Sequence, residues 1–260
     1  MTEGAVDAAI GWLSSTVFAK VQIAGVDVEL IVLWMAAPML LLTIYFGFVN
    51  LRHFRTAYEI VRGRYHDDRA PGEVSQFQAL TTALSGTVGL GNIAGVAIAI
   101  ATGGPGAAFW MMLIGFLAMT LKFTEVTLAL KYRVTHPDGT VSGGPMYYLG
   151  RGLAARGWHR TGAVLAWSYA LLALPAILQI AQVNQSFSQL SSVTGLSGPV
   201  AAWGYGVLIA ALTAVTIVGG IKSIARLTSR LVPLMAAVYL GGSAFILITH
   251  AADIPEALAT

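Results

Sequence analysis

The stretch Thr81-Thr82-Ala83-Leu84-Ser85-Gly86-Thr87-Val88-Gly89-Leu90-Gly91-Asn92-Ile93-Ala94-Gly95 places hydroxyls, an amide and glycines in the middle of a long apolar run. Three glycines and Asn92 fall within the seven residues 86–92, a composition that lowers helical propensity. In hydrocarbon an unpaired peptide group is costly because no water can satisfy it, so a helix break at that depth needs a compensating partner. The chemistry on offer is that of the backbone itself. N–H groups at the start of a half-helix attract an anion, and carbonyls released from a helical ladder coordinate a hard cation. Two other readings compete. Gly91 and Gly95 form a GxxxG pair suited to close helix packing. Gly89-Leu90-Gly91-Asn92-Ile93-Ala94 fits a dinucleotide fingerprint, but that motif needs a strand before it and an acidic residue some way after it. Apolar sequence occupies both places, which excludes the nucleotide reading.

Further polar residues lie inside apolar segments. Gln179, Gln182 and Gln185 recur every three residues and share a helix face, either toward a bundle interior or toward water at a helix end; Pro175 is expected to kink the same segment. Lys122 and Glu125 are also three apart and can pair on one face, as a brace that snorkels to the surface or as a coupling pair. The histidines His53, His66, His136, His159 and His250 fall in loops or at segment ends without metal-ligand spacing. No histidine and carboxylate accompany the serines and threonines at depth, so an intramembrane hydrolase has no support and the chain is read as a non-enzyme.

The elements that must hold these residues follow from composition. The chain has 260 residues, 56% hydrophobic and 10% charged, where soluble proteins carry about a quarter charged residues. Mean hydropathy is +0.72, and apolar runs reach the length an α-helix needs to cross a bilayer. With no cysteine, disulfides, thiol nucleophiles and cysteine-based metal sites are excluded. The expected class is an all-α membrane protein with about six transmembrane segments, near 31–50, 76–101, 106–132, 161–186, 199–220 and 230–250. The net charge of +3 is a matter of topology and gives no reason to expect nucleic acid. Of the 15 basic residues all except Lys20 and Lys122 lie in three connections: Arg52, Arg55, Arg62, Arg64 and Arg69; Lys131, Arg133, Arg151, Arg156 and Arg160; and Lys222, Arg226 and Arg230. The positive-inside rule puts these loops in the cytoplasm and both termini outside, in a multi-pass protein of the cell membrane. Residues 1–30 form an extracytoplasmic segment whose apolar spacing fits an interfacial or an ordinary surface helix. Residues 51–75 are a basic loop, and 251–260 an extracytoplasmic end. Ser142-Gly143-Gly144-Pro145-Met146-Tyr147-Tyr148-Leu149 reads as a turn into a short interfacial helix.

The motifs Gly89-Leu90-Gly91-Asn92-Ile93-Ala94-Gly95, Gly103-Gly104-Pro105-Gly106-Ala107, Lys122-Phe123-Thr124-Glu125 and Ser142-Gly143-Gly144-Pro145-Met146-Tyr147-Tyr148-Leu149, in this order, closely resemble the alanine or glycine:cation symporter family. The resemblance implies a leucine-transporter-type inverted-repeat fold: one extra N-terminal helix at 31–50, then a first five-helix repeat at 76–250 whose first helix, 76–101, is broken. It further implies that backbone from Gly86 to Gly91, with Thr87, Gly89, Gln182 and Asn184, meets the substrate. Ser85, Thr87, Val88 and Asn92 are implied as sodium ligands, mostly through carbonyls. The implied function is symport of a small neutral amino acid such as alanine or glycine with a cation, sodium or H+, without a bound cofactor. Absence of a mid-segment carboxylate beyond Glu125 leans toward sodium.

By segment count the chain holds the first repeat only, so a missing C-terminal repeat is the expected partner and the chain alone is expected not to transport. Whether it is a fragment or a natural half stays open, as do the amino acid and the oligomeric state. The alternative function is a non-transporting membrane interaction protein whose glycines serve packing.

Overall fold

The computed structural model describes residues 3–23, 25–65, 67, 72–176 and 180–255. In chain order the elements are α1 (Glu3–Val17), the hairpin β1 (Lys20–Ile23) and β2 (Val26–Glu29), α2 (Leu30–Tyr45), α3 (Val49–Arg52), α4 (Phe54–Val61), α5 (Gln76–Thr87), α6 (Leu90–Gly103) and α7 (Gly106–Lys131). A second hairpin, β3 (Val134–Thr135) and β4 (Val141–Ser142), precedes α8 (Pro145–Ala154), α9 (His159–Ala176), α10 (Ile180–Thr194), α11 (Pro199–Val218) and α12 (Gly220–Thr249). The protein is thus mostly helical, as expected, with two short antiparallel hairpins that the all-α reading did not include. The first pairs Val21 with Val28 and Ile23 with Val26 around Gly25, whose φ of 83° suits glycine.

Three of the described helices are long and apolar enough to cross a membrane, α7, α11 and α12, and α5 with α6 makes a fourth if the bent pair counts as one span. The expected six are therefore reached only in part. Helix α2 has 16 residues and ends at a left-handed turn, Gly47 and Phe48 with φ of 58° and 57°. At 1.5 Å per residue it covers about 24 Å, short of a bilayer core of about 30 Å. Of the expected segment at 161–186, the residues up to Ala176 belong to α9, which carries Pro175 inside it, those from Ile180 on belong to α10, and 177–179 lie outside the described residues. The last basic connection is not a loop: Lys222, Arg226 and Arg230 lie on α12, which starts ten residues before the expected 230, at Gly220. Gln179, Arg69 and His66 lie outside the described residues.

The chain divides into two compact units, residues 1–54 with 109–127, and residues 55–108 with 128–260. In the first, Thr43 and Thr120 are fully buried and Met39 nearly so. Thr43 donates its hydroxyl proton to the Met39 carbonyl at 2.7 Å, which satisfies a polar group that water cannot reach. Asn50 reaches the Phe116 carbonyl of α7 at 3.1 Å, and Phe46 meets Phe123 edge-on at 5.6 Å.

In the second unit, α5 begins with a capping box: Ser75 Oγ accepts from Gln78 N–H, and Gln78 Oε1 accepts from Ser75 N–H. Helix α12 packs along α5, where Thr81 is 2% exposed and Ala225 fully buried, and the hydroxyls of Thr82 and Thr228 meet at 3.0 Å. Helices α8 and α11 start with Pro145 and Pro199 directly after Gly144 and Gly198, whose φ values of 108° and 95° turn the chain before the proline fixes the first helical residue. The expected helix after the Gly-Gly-Pro turn is therefore α8, and it packs closely on α9.

Candidate functional site

The break lies between α5 and α6, where the two helices bend by 42°. Val88 and Gly89 leave helical geometry, with φ/ψ of −83°/105° and −147°/−165°. Val88 N–H still donates to the Leu84 carbonyl at 2.7 Å, the last bond of the α5 ladder, and Asn92 N–H turns back to the Gly89 carbonyl at 3.1 Å. The carbonyls of Ser85 and Gly86 then have no intrahelical donor, and the N–H groups of Leu90 and Gly91 no intrahelical acceptor, as at any pair of helix ends. The negative end of α5 and the positive end of α6 meet at the same place.

Side chains at the break complete this arrangement. Thr87 Oγ1 donates to the Ala83 carbonyl at 2.6 Å, so the proton points back along α5 and the oxygen lone pairs remain available as ligands. Ser85 does the same toward the Thr82 carbonyl at 2.7 Å. Asn92 bridges the gap by donating Nδ2–H to the Thr87 carbonyl at 2.9 Å, which leaves its own Oδ1 as an acceptor. Oxygen ligands without formal charge are what a hard monovalent cation needs.

Ser85, Gly86, Thr87, Val88, Gly89, Gly91, Asn92 and Gln182 line one cavity of about 410 Å³. Seven of these come from the break and the eighth from α10, so all but one of the residues implied as substrate or sodium ligands line one cavity. The exception is Asn184, which lines the apolar groove between α10 and α11 with Val183, Phe187 and Tyr205. Two residues along a helix turn the side chain by about 200°, so Gln182 and Asn184 belong to different faces.

Gly89 shows why Gln182 belongs to the break. A Cβ at position 89 would stand 3.1 Å from Gln182 Nε2. By contrast, a Cβ at Gly86, Gly91 or Gly95 meets no atom within 4 Å. Among the described residues, close packing is therefore not what keeps Gly91 and Gly95 small.

Lys122 and Glu125 pair at 2.9 Å on α7, both partly exposed and neither lining the cavity. Residue patterns passed over in the sequence also position the site. The Ser75-x-x-Gln78 box was legible as a helix start; the Thr82–Thr228 contact, 146 residues apart, left no local signal.

Apolar helices of membrane-crossing length, beside a bent helix pair whose break lines a cavity, recur in multi-pass secondary transporters. The chain belongs to the sodium:alanine symporter family, whose description matches residues 12–260. This is a transporter family and not an enzyme family. The sodium/alanine symporter AgcS of Methanococcus maripaludis is 39% identical over 201 residues, 76% of this chain and 43% of that protein. An uncharacterized transporter of Haemophilus influenzae is 35% identical over 219 residues, 84% of this chain and 46% of the relative. The amino-acid carrier protein AlsT of Bacillus subtilis is 35% identical over 221 residues, 85% of this chain and 45% of the relative. The chain thus spans less than half the length of these relatives.

Proposed function

We propose that this chain contributes the solute- and cation-binding break of a symporter that moves a small neutral amino acid, alanine or glycine, together with Na+ across the cell membrane. The observation that carries the reading is the α5–α6 break, where two helix ends meet and seven residues of the break line one cavity together with Gln182. Ser85 and Val88 carbonyls, Thr87 Oγ1 and Asn92 Oδ1 are the cation ligands in this proposal. The first N–H groups of α6, Leu90 and Gly91, with the Gln182 amide, take the substrate carboxylate. Each ligand then neutralises the other in a medium of low dielectric, so that binding of one strengthens binding of the other, and this mutual strengthening couples the two. The names of two relatives, one a sodium/alanine symporter and one an amino-acid carrier, support the choice of ligands. In the same proposal the basic connections face the cytoplasm, and Lys122 with Glu125 braces α7 away from the ligands.

The test is equilibrium binding of labelled alanine to the purified chain in lipid nanodiscs with Na+ or with choline as the cation. Binding that needs Na+ and is lost in Asn92→Ala, while helicity is retained, is the expected outcome. Alanine binding equal in both salts would remove the coupling on which the proposal stands.

A further inference from the structure

Lys222, Arg226 and Arg230 follow one another at intervals of four on α12, so they share a face over a rise of about 12 Å. All three are exposed. The buried positions of the helix, Ala225 and Val232, and Thr228 with its contact to Thr82, mark a different face. Helix α12 contains no acidic residue, and neither do α5 and α11, the helices packed against it. Among the described residues none of the three cations forms an ion pair, whereas Arg55 and Arg64 both pair with Glu59. Three like charges on one face of a helix that continues into an 18-residue apolar stretch stand at the edge of hydrocarbon with no counter-charge among the described residues.

We propose that this face is a seat for the headgroups of anionic phospholipids. A phosphodiester carries the missing charge, two guanidinium forks grip phosphate oxygens in pairs, and the lysine adds a point charge. The bilayer holds its headgroups at the level where an apolar helix emerges, so charge and depth agree on the same partner. The inference does not depend on the symport reading; it requires only that α12 crosses a membrane.

The test uses the chain in nanodiscs of phosphatidylcholine with a minor fraction of phosphatidylglycerol, and mass spectrometry to count which lipids stay bound on release. Phosphatidylglycerol is expected to be enriched over its bulk fraction. The enrichment is expected to fall about five-fold or more in Lys222→Gln/Arg226→Gln/Arg230→Gln, since each basic residue near an anionic surface favours it roughly five-fold. A control with the same charge change, Lys20→Gln/Arg156→Gln/Arg160→Gln, is expected to keep it, and so is the charge-preserving Lys222→Arg/Arg230→Lys. Undiminished enrichment in the first variant, or an equal fall in the control, overturns the proposal. Displacement of the lipid by inorganic phosphate also overturns it, by making the seat one for free anions. Should the first variant fail to insert, a salt titration of the unaltered chain decides: phosphatidylglycerol that is not released by raised salt counts against the seat.

Discussion

Two parts of the second unit use glycine for opposite ends. At the α8–α9 junction a Cβ on Gly162 would stand 2.9 Å from the Gly150 carbonyl oxygen, 3.0 Å from that of Leu149 and 3.1 Å from the Leu153 side chain. One on Gly152 would stand 3.2 Å from the Tyr132 ring. Backbone touches backbone there, and Arg151 ties the junction to the end of α7 by donating to the Arg133 carbonyl at 3.2 Å. That carbonyl lies just beyond the negative end of the α7 dipole. At the α5–α6 break, Gly86 and Gly91 have open space around them, and Gly89 meets only the end of a flexible side chain. Glycine in the first region lets two helices close together. In the second it lets a helix come apart, and the residues of the break line a cavity.

The largest effect should come from filling the tight junction. Gly162→Leu forces side-chain atoms into two carbonyl oxygens that cannot turn aside, at a cost of at least about 3 kcal/mol, the upper end of overpacking. Thermal unfolding in detergent should show a large fall in midpoint or no folded protein at all. A midpoint within a degree or two of the unaltered chain's would mean that the junction is looser than its distances imply.

At the break the expected loss is one of binding with the fold retained. The extended backbone of Gly89 accepts any residue, so Gly89→Val should insert and keep its helicity while displacing the Gln182 amide. Sodium-dependent alanine binding should weaken about tenfold, the value of one hydrogen bond to a charged group. Gln182→Ala should cost a similar amount, and the two changes together little more than either, since both remove the same contact. Fully additive losses would separate Gly89 from Gln182 and divide the cavity into unrelated halves.

How much of this contrast the sequence shows depends on how local the cause is. The break was legible because three glycines and an asparagine inside an apolar run conflict with the medium within seven residues. The grip of Gly162 was not, since nothing near it in sequence distinguishes it from Gly91; the atoms it touches are nine or more residues away, on the turns of another helix. Asn184 was grouped with Gln182 by family likeness, although a shift of two residues on a helix places them on different faces. The start of α12 was read as a loop because its charges outweighed their helical spacing. The hairpin at 20–29 left only a weak trace, since four residues per strand with valines alternating around Gly25 are too short a period-2 pattern to stand out.

The third expected effect is a gain. Gly95 lies within α6, a Cβ there meets nothing within 4 Å, and its φ is not positive. Gly95→Ala should stabilise the chain by up to about 1 kcal/mol through helix propensity alone. Alanine binding should be unchanged, because residue 95 does not line the cavity. If the same change destabilised the inserted chain, a neighbour must be pressing on Gly95, and the packing reading of Gly91 and Gly95 would return.

The smallest effect lies outside both regions, in the β3–β4 turn that leads toward the junction. Asp138 accepts from the Thr140 hydroxyl at 2.7 Å and from the Thr140 N–H at 3.0 Å. Those two bonds, the hydroxyl first, hold its carboxyl below the ordinary aspartate value of 3.8. A carboxyl depressed in the folded state adds its stabilisation above the ordinary carboxylate range, and loses it as pH falls through the lowered value. Amide exchange at Thr140, taken relative to the intrinsic rate of an unprotected amide at each pH, should therefore quicken on acidification below pH ~4, and Asp138→Asn should abolish that dependence. The junction glycines carry no titratable group, so on the same relative scale exchange in α8 and α9 should stay flat over the same window. A parallel rise there would tie the turn and the junction into one cooperative element, and the tight region would then extend from Asp138 to Gly162.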